Sequence, residues 1–229
     1  MFWKLLPFVI REKLEAPYRR DARLAVQNIL KETKKEKISV LDAGAGDCFV
    51  TPWFKGHEYV GIDIADFGSN ILGDVENLAF KDNSFDFVLC LEVLEHVLDP
   101  GRALLEMRRV LKDEGSAVFS TPLLSAGYHS DIQRWSPPGL QKIFENAGFK
   151  VRSITPVGGY CRMLGLQISK ISYFIKKPAN KILWPFYYLL KIPVGFAFQV
   201  FVPFVLFHLD WLDRKKNDTC GYITVALKK

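Results

Sequence analysis

The sequence predicts an α/β fold with an open, doubly wound sheet that is mostly parallel, and three observations carry that prediction. Residues 40–48 are an apolar strand running into a glycine turn, Val40-Leu41-Asp42-Ala43-Gly44-Ala45-Gly46-Asp47-Cys48. A second apolar strand, Tyr59-Val60-Gly61-Ile62-Asp63, ends in an acid seventeen residues after Gly46. Further strand-like runs then alternate with helix-like ones, as a parallel sheet with crossover helices requires.

Taken in order, Ala22, Ala25, Val26, Ile29 and Leu30 recur at helical spacing and predict a helix over 21–31. Strands are expected at 38–42, 58–63, 70–73, 85–91 and 115–121. Asp99-Pro100 marks the start of a helix running to about residue 112, with Leu104, Leu105, Val110 and Leu111 as its core face. Ser136-Pro137-Pro138 caps another helix ending near Gly148, and Phe149 to Thr155 is a sixth strand. Gly221 to Leu227 closes the chain as the last strand.

A strand, a glycine turn and an acid at the tip of the next strand make a nucleoside-cofactor site. Glycine lets the backbone approach the ligand, and the acid accepts hydrogen bonds from ribose hydroxyls. A dinucleotide fingerprint needs a third glycine three residues after Gly46, where this chain has Phe49. Asp42 adds a carboxylate that would repel phosphate. The turn therefore suits a cofactor without phosphate that carries a cationic amino group.

On these residues the chain resembles the class I S-adenosylmethionine-dependent methyltransferases, within them the ubiquinone and lipid type, from about Lys37 through Lys150 and again in the final strand. The resemblance implies a Rossmann-like sheet with an antiparallel last strand and S-adenosyl-L-methionine as cofactor. It places Asp42, Ala43, Gly44, Gly46, Asp63, Ile64, Asp74, Val75, Leu91 and Glu92 at that cofactor. Glu92 and Glu95-His96 follow the fourth strand, where similar enzymes hold the reacting methyl. No metal is expected, with Glu92, Glu95 and His96 as the alternative ligand set. His96 and His129 are the candidate proton acceptors. Tyr128, Arg134 and Trp135 lie in the region that meets the acceptor in similar enzymes, with Arg134 able to pair with an acidic group on it.

Length and charge bound the rest. A chain of 229 residues holds one α/β domain and little more. Cys48, Cys90, Cys161 and Cys220 form no Cys-x-x-Cys pair, so a zinc knuckle or a disulfide framework is not indicated and a reducing cytoplasm is expected. Lys and Arg outnumber Asp and Glu ten to five in residues 1–40 and twelve to three in 151–229; in 41–150 they are outnumbered nine to seventeen. The basic flanks are also the most apolar parts. Nucleic-acid binding calls for basic residues without that hydrophobicity, so no nucleic acid is expected; basic and apolar together point to an anionic membrane surface.

Four segments follow: an amphipathic N-terminal segment 1–36, a cofactor-binding core 37–157, an apolar helical insertion 158–217 between the last two strands, and the final strand 218–229. Residues 1–14 are too short to span a bilayer and carry no cleavage site for a signal peptide. Ile192 to Leu209 contains no charged residue, and Pro193, Gly195, Gln199 and Pro203 are expected to break it into short interfacial helices. If the family's strand order holds, both ends of the insertion leave the carboxyl edge of the sheet, which makes it a lid or substrate module. The expected function is methylation, at oxygen, of an amphiphilic or lipid-linked small molecule on the inner face of the membrane. The alternatives are a soluble enzyme for a metabolite or saccharide with the insertion as a dimer interface in a homo-oligomer, and a non-catalytic cofactor-binding protein.

Overall fold

The computed structural model describes residues 17–33, 35–68, 70–123 and 131–228. They form two compact units, one containing the residues up to Val157 with Gly221–Lys228, the other Gly158–Cys220. The apolar stretch before residue 15 lies outside the described residues.

In the first unit the elements run α1 (Pro17–Glu32), β1 (Ser39–Ala43), β2 (Glu58–Asp63), β3 (Ile71–Leu72), β4 (Phe85–Leu91), α2 (Pro100–Val110), β5 (Leu111–Pro122), α3 (Pro137–Asn146), β6 (Phe149–Pro156) and β7 (Gly221–Lys228). The sheet order is β3-β2-β1-β4-β5-β7-β6. β1 pairs in parallel with β2 and β4, and β4 with β5, whereas β7 runs antiparallel to both β5 and β6. This is the Rossmann-like sheet with a reversed strand near one edge that the sequence predicts.

The central strands β1, β4 and β5, with β7, are buried on both faces, with successive side chains pointing to opposite sides. In β4, Phe87 and Leu89 join Val40, Val118 and the α1 residues Ala22, Val26 and Ile29 in one core. Val88 and Cys90 join Leu41, Phe119 and the helix residues Leu104, Met107, Leu140 and Phe144 in the other. One helix thus covers one face and two cover the opposite face.

The predicted helix over 100–112 stops at Val110. Leu111 turns extended and pairs with Phe85, so β5 begins four residues earlier than its alternation suggests. Helical periodicity cannot mark that end, because Leu111 is fully buried in either conformation. At its start the helix is as expected: Asp99 accepts from the Arg102 N–H at 2.9 Å and Pro100 occupies the first turn.

Val157 donates its N–H to the Gly221 carbonyl at 2.8 Å, so the chain leaves and re-enters the first unit side by side. Pro156 pairs with Tyr222, and Gly221 with Pro122, which puts both attachment points at the carboxyl edge of the parallel strands. The second unit holds α4 (Tyr160–Ile168), a 3₁₀ segment Ser169–Phe174, α5 (Trp184–Phe196) and α6 (Val202–Leu209). Its prolines do not break it as the sequence predicts. Lys181 to Leu212 is one continuous helical run, because Ala197–Phe201 widens to a π-turn in which the Val202 N–H reaches the Ala197 carbonyl. That widening accommodates Pro203, which has no N–H and would crowd the preceding turn of a regular helix.

Candidate active site

The site is built where β1 and β4 end side by side. Gly44 has φ +83°, and a Cβ there would stand 2.2 Å from Val93 Cγ2, so only glycine lets the turn rest on the segment after β4. Gly46 has φ +52° and open space above it, the cradle a bound ligand needs. Asp63 holds this turn in place. Its Oδ2 accepts from the Gly46 N–H at 2.9 Å and its Oδ1 from the Ala65 N–H at 3.0 Å. Each carboxylate oxygen keeps one lone-pair direction for ribose hydroxyls.

Asp42 lies deeper than the sequence implies. It is 3% exposed, and its Oδ2 accepts from the Tyr59 hydroxyl at 2.6 Å. Burial pushes its carboxyl up to about 7, with the nearby Asp63 adding to the rise, while the Tyr59 hydrogen bond opposes it. Ala43 is fully buried and Val75, in the core, is 6% exposed, so neither presents its side chain to a ligand. Ile64, by contrast, is 78% exposed beside Asp63 and offers an apolar surface for a base. Asp74 caps its own turn through the Glu76 N–H at 2.8 Å.

At the end of β4, Leu91 is half-buried, and Glu92 just beyond takes φ +56°, a left-handed conformation that carries a cost in a residue with a side chain. Ser120 at the end of β5 pins it: its Oγ donates to Glu92 Oε1 at 2.7 Å and accepts from the Glu92 N–H at 3.0 Å. Burial lifts the Glu92 carboxyl to about 7 and that of Glu95 to about 8, the latter raised further by Glu92. Glu95 is 1% exposed and its Oε2 has no hydrogen-bond partner among the described residues. The Glu95 carbonyl accepts from the Ile132 N–H at 2.7 Å, which draws residues 131–135 across this turn. There Asp131 Oδ1 stands 3.3 Å from His96 Nδ1, and Glu95 Oε1 lies 3.8 Å from His96 Nε2.

Arg134, expected to pair with an acidic acceptor, forms an ion pair with Asp131, and its charge opposes the rise at both Glu92 and Glu95. Trp135 is partly buried against the core. His129 and Tyr128 lie outside the described residues. Among the described residues no three His, Cys, Asp or Glu side chains are arranged to hold a metal ion. In the alternative ligand set, Glu92 is directed to Ser120 and His96 to Asp131. The sequence gives no role to Tyr59, Ser120 or Asp131. The only signal for them is position at a strand end or in the loop after β5.

Comparison with known proteins agrees with this geometry. Residues 41–119 match the family model described as a methyltransferase domain. An uncharacterized protein of Methanocaldococcus jannaschii is 39% identical over 85 residues, 35% of this chain and 37% of that protein. A ubiquinone biosynthesis O-methyltransferase of Coxiella burnetii is 29% identical over 103 residues, 37% of this chain and 44% of the enzyme. The chain thus spans less than half the length of these curated relatives. In fold it is similar to the Burkholderia thailandensis 1,6-didemethyltoxoflavin-N1-methyltransferase solved with S-adenosylhomocysteine, with a TM-score of 0.57 and 17% identity over 94% of this chain and 79% of that one. By the family-model match residues 41–119 are a methyltransferase domain. The open ground over Gly46 and the Asp63 carboxylate fit S-adenosyl-L-methionine as its cofactor.

Proposed function

We propose that the protein methylates an oxygen of an amphiphilic or lipid-linked small molecule, working peripherally on the cytoplasmic face of a membrane. The observation that carries the chemistry is the contact between two parts of the site. Gly44, in the cofactor turn, rests on Val93, the neighbour of Glu92 and two residues from Glu95. Bound S-adenosylmethionine supplies an electrophilic methyl on a sulfonium, and in-line displacement leaves the protein chiefly to position the acceptor. Gly44, Gly46, Asp63 and Ile64 hold the cofactor.

His96 takes the acceptor hydroxyl's proton at Nε2. Asp131, a positioning residue, keeps the other ring proton on Nδ1 and so leaves Nε2 basic. The buried, partly protonated Glu92 and Glu95 keep this corner close to neutral, which suits an acceptor that loses a proton as it reacts. Arg134 balances what negative charge remains. The name of the Coxiella relative supports oxygen as acceptor atom and an amphiphile as substrate class. The four free cysteines suit a reducing cytoplasm, and the apolar second unit suits a membrane.

Steady-state kinetics of His96→Ala and Asp131→Asn test this. His96→Ala should lower kcat about 100-fold or more with cofactor affinity unchanged. Asp131→Asn should shift the acidic limb of the kcat–pH profile without moving KM. Wild-type kcat in both variants would remove His96 from the chemistry.

A further inference from the structure

The second unit, taken by itself, is a helical hairpin. Its first arm is α4 with Ser169–Phe174 and its second is the run Lys181–Leu212. A Cβ on Gly165 would lie 3.3 Å from Pro203 Cα and 3.6 Å from Leu206 Cβ, so the arms close against each other there. Nearer the tip, Lys191 Nζ donates to the Ile175 carbonyl at 3.3 Å and Trp184 Nε1 to that of Pro178 at 3.2 Å. Lys177 Nζ stands 3.5 Å over the Trp184 ring. At the base Asp210, 5% exposed, accepts from the Gly159 and Arg162 N–H groups at 3.0 and 2.9 Å, and Asp213 accepts from the Tyr160 N–H at 2.8 Å. Two acids thus cap the start of α4 and clasp the hairpin shut.

Among the described residues one face of the second arm has no partner. Ile182, Phe186, Leu189, Phe196, Val200 and Phe204 follow one another at helical spacings of three and four once Pro193 is counted, and they are 78, 70, 76, 62, 44 and 48% exposed. From Ile182 to Phe204 the rail measures about 33 Å at 1.5 Å per residue. Lys191 projects from the opposite side, toward the first arm, where Lys177 also lies. The second arm therefore has an apolar face from which Lys177 and Lys191 point away. An unbroken exposed apolar surface on this scale marks an interaction site.

We propose that this rail docks the protein in the plane of an anionic lipid bilayer, with Ile182, Phe186, Leu189, Phe196, Val200 and Phe204 among the acyl chains and the lysines at the headgroups. The proposal rests on the membrane side of the proposed function. Charge selects lipid over a second copy of this chain. Residues 158–220 hold nine Lys and Arg against three Asp and Glu, and two of those acids are engaged in the clasp. Lys176, Lys177 and Lys181 cluster at the tip, and Arg214, Lys215 and Lys216 at the base. Two copies joined along the rail would set cation against cation, whether aligned parallel or antiparallel, whereas anionic headgroups complement both ends. The run is long and apolar enough to cross a membrane. Crossing would carry the tip lysines through the hydrocarbon, and the in-plane arrangement leaves them in water.

The test uses the full chain and vesicles of phosphatidylcholine with or without phosphatidylglycerol. Wild type should sediment with the anionic vesicles and bind neutral ones far more weakly. The triple variant Phe186→Ser, Leu189→Ser, Phe196→Ser should lose about tenfold or more of the anionic binding. All three positions are exposed, so fold and S-adenosylmethionine affinity should persist and are measured alongside. A Leu189→Trp reporter should be quenched by brominated acyl chains. The inference is overturned if wild type fails to bind anionic vesicles, if the triple variant binds as well as wild type, or if wild type is a dimer that the triple variant converts to a monomer without vesicle binding. Methyl transfer, assayed separately, distinguishes the two proposals: vesicle binding without transfer sinks the proposed function and leaves the docking face standing.

Discussion

Replacing Glu95 by glutamine should stabilise the protein at neutral pH, although it removes an ionisable residue from the site. Glu95 is 1% exposed, has an unpartnered Oε2, and has its carboxyl raised from 4.5 to about 8 by burial and by Glu92. A raised acid binds its proton more tightly folded than unfolded. Its contribution is therefore fully present below about pH 4.5 and is lost as pH rises through about 8. With 1.36 kcal/mol per pH unit, the loss at pH 7 relative to acid is on the order of 3 kcal/mol. Glutamine has the same shape and no ionisation, so Glu95→Gln should recover most of that and flatten the fall in stability between pH 5 and pH 8. For a chain of this size the gain corresponds to roughly 6–12 °C in Tm. Calorimetry of both proteins at several pH values reads it directly. Parallel pH profiles for variant and wild type, with no gain at pH 7, would refute Glu95 as a buried, proton-holding acid.

Three other outcomes follow from the same geometry. Asp63→Ala should weaken S-adenosylmethionine binding by roughly 1–3 kcal/mol, measured by calorimetric titration, because the ribose acceptor and the tie to Gly46 go together. Gly44→Ala should cost about 2–4 kcal/mol through the clash with Val93 and the left-handed backbone, and adding Val93→Ala should return part of it. That return appears as a coupling term in a denaturation cycle. Asp210→Ala leaves the N–H groups of Gly159 and Arg162 without their acceptor. It should speed amide exchange in 159–168 and 202–212, while the sheet of the first unit keeps its protection.

The sheet was legible because its signals are local. Apolar runs, glycine turns and the Asp99-Pro100 start place β1, β2, β4 and α2 within a residue or two. The continuous second arm was not legible. Pro193 and Pro203 read as breaks, and only the π-turn at Ala197–Phe201 shows how the backbone passes Pro203. The glycine turn and Asp63 could be read from spacing, but their partners could not. Tyr59 reaches Asp42 across 17 residues, Ser120 reaches Glu92 across 28, and Asp131 meets His96 through a loop of no fixed period. The first two pairs are set by strand order.

The central claim is methyl transfer to an amphiphile, and its most direct measurement incubates the full chain with S-adenosylmethionine labelled in the methyl group and a membrane fraction, then partitions the products. Label should enter the organic phase with wild type and disappear with Asp63→Ala. Label confined to the aqueous phase, or no transfer by a protein that demonstrably binds the cofactor, would contradict the account.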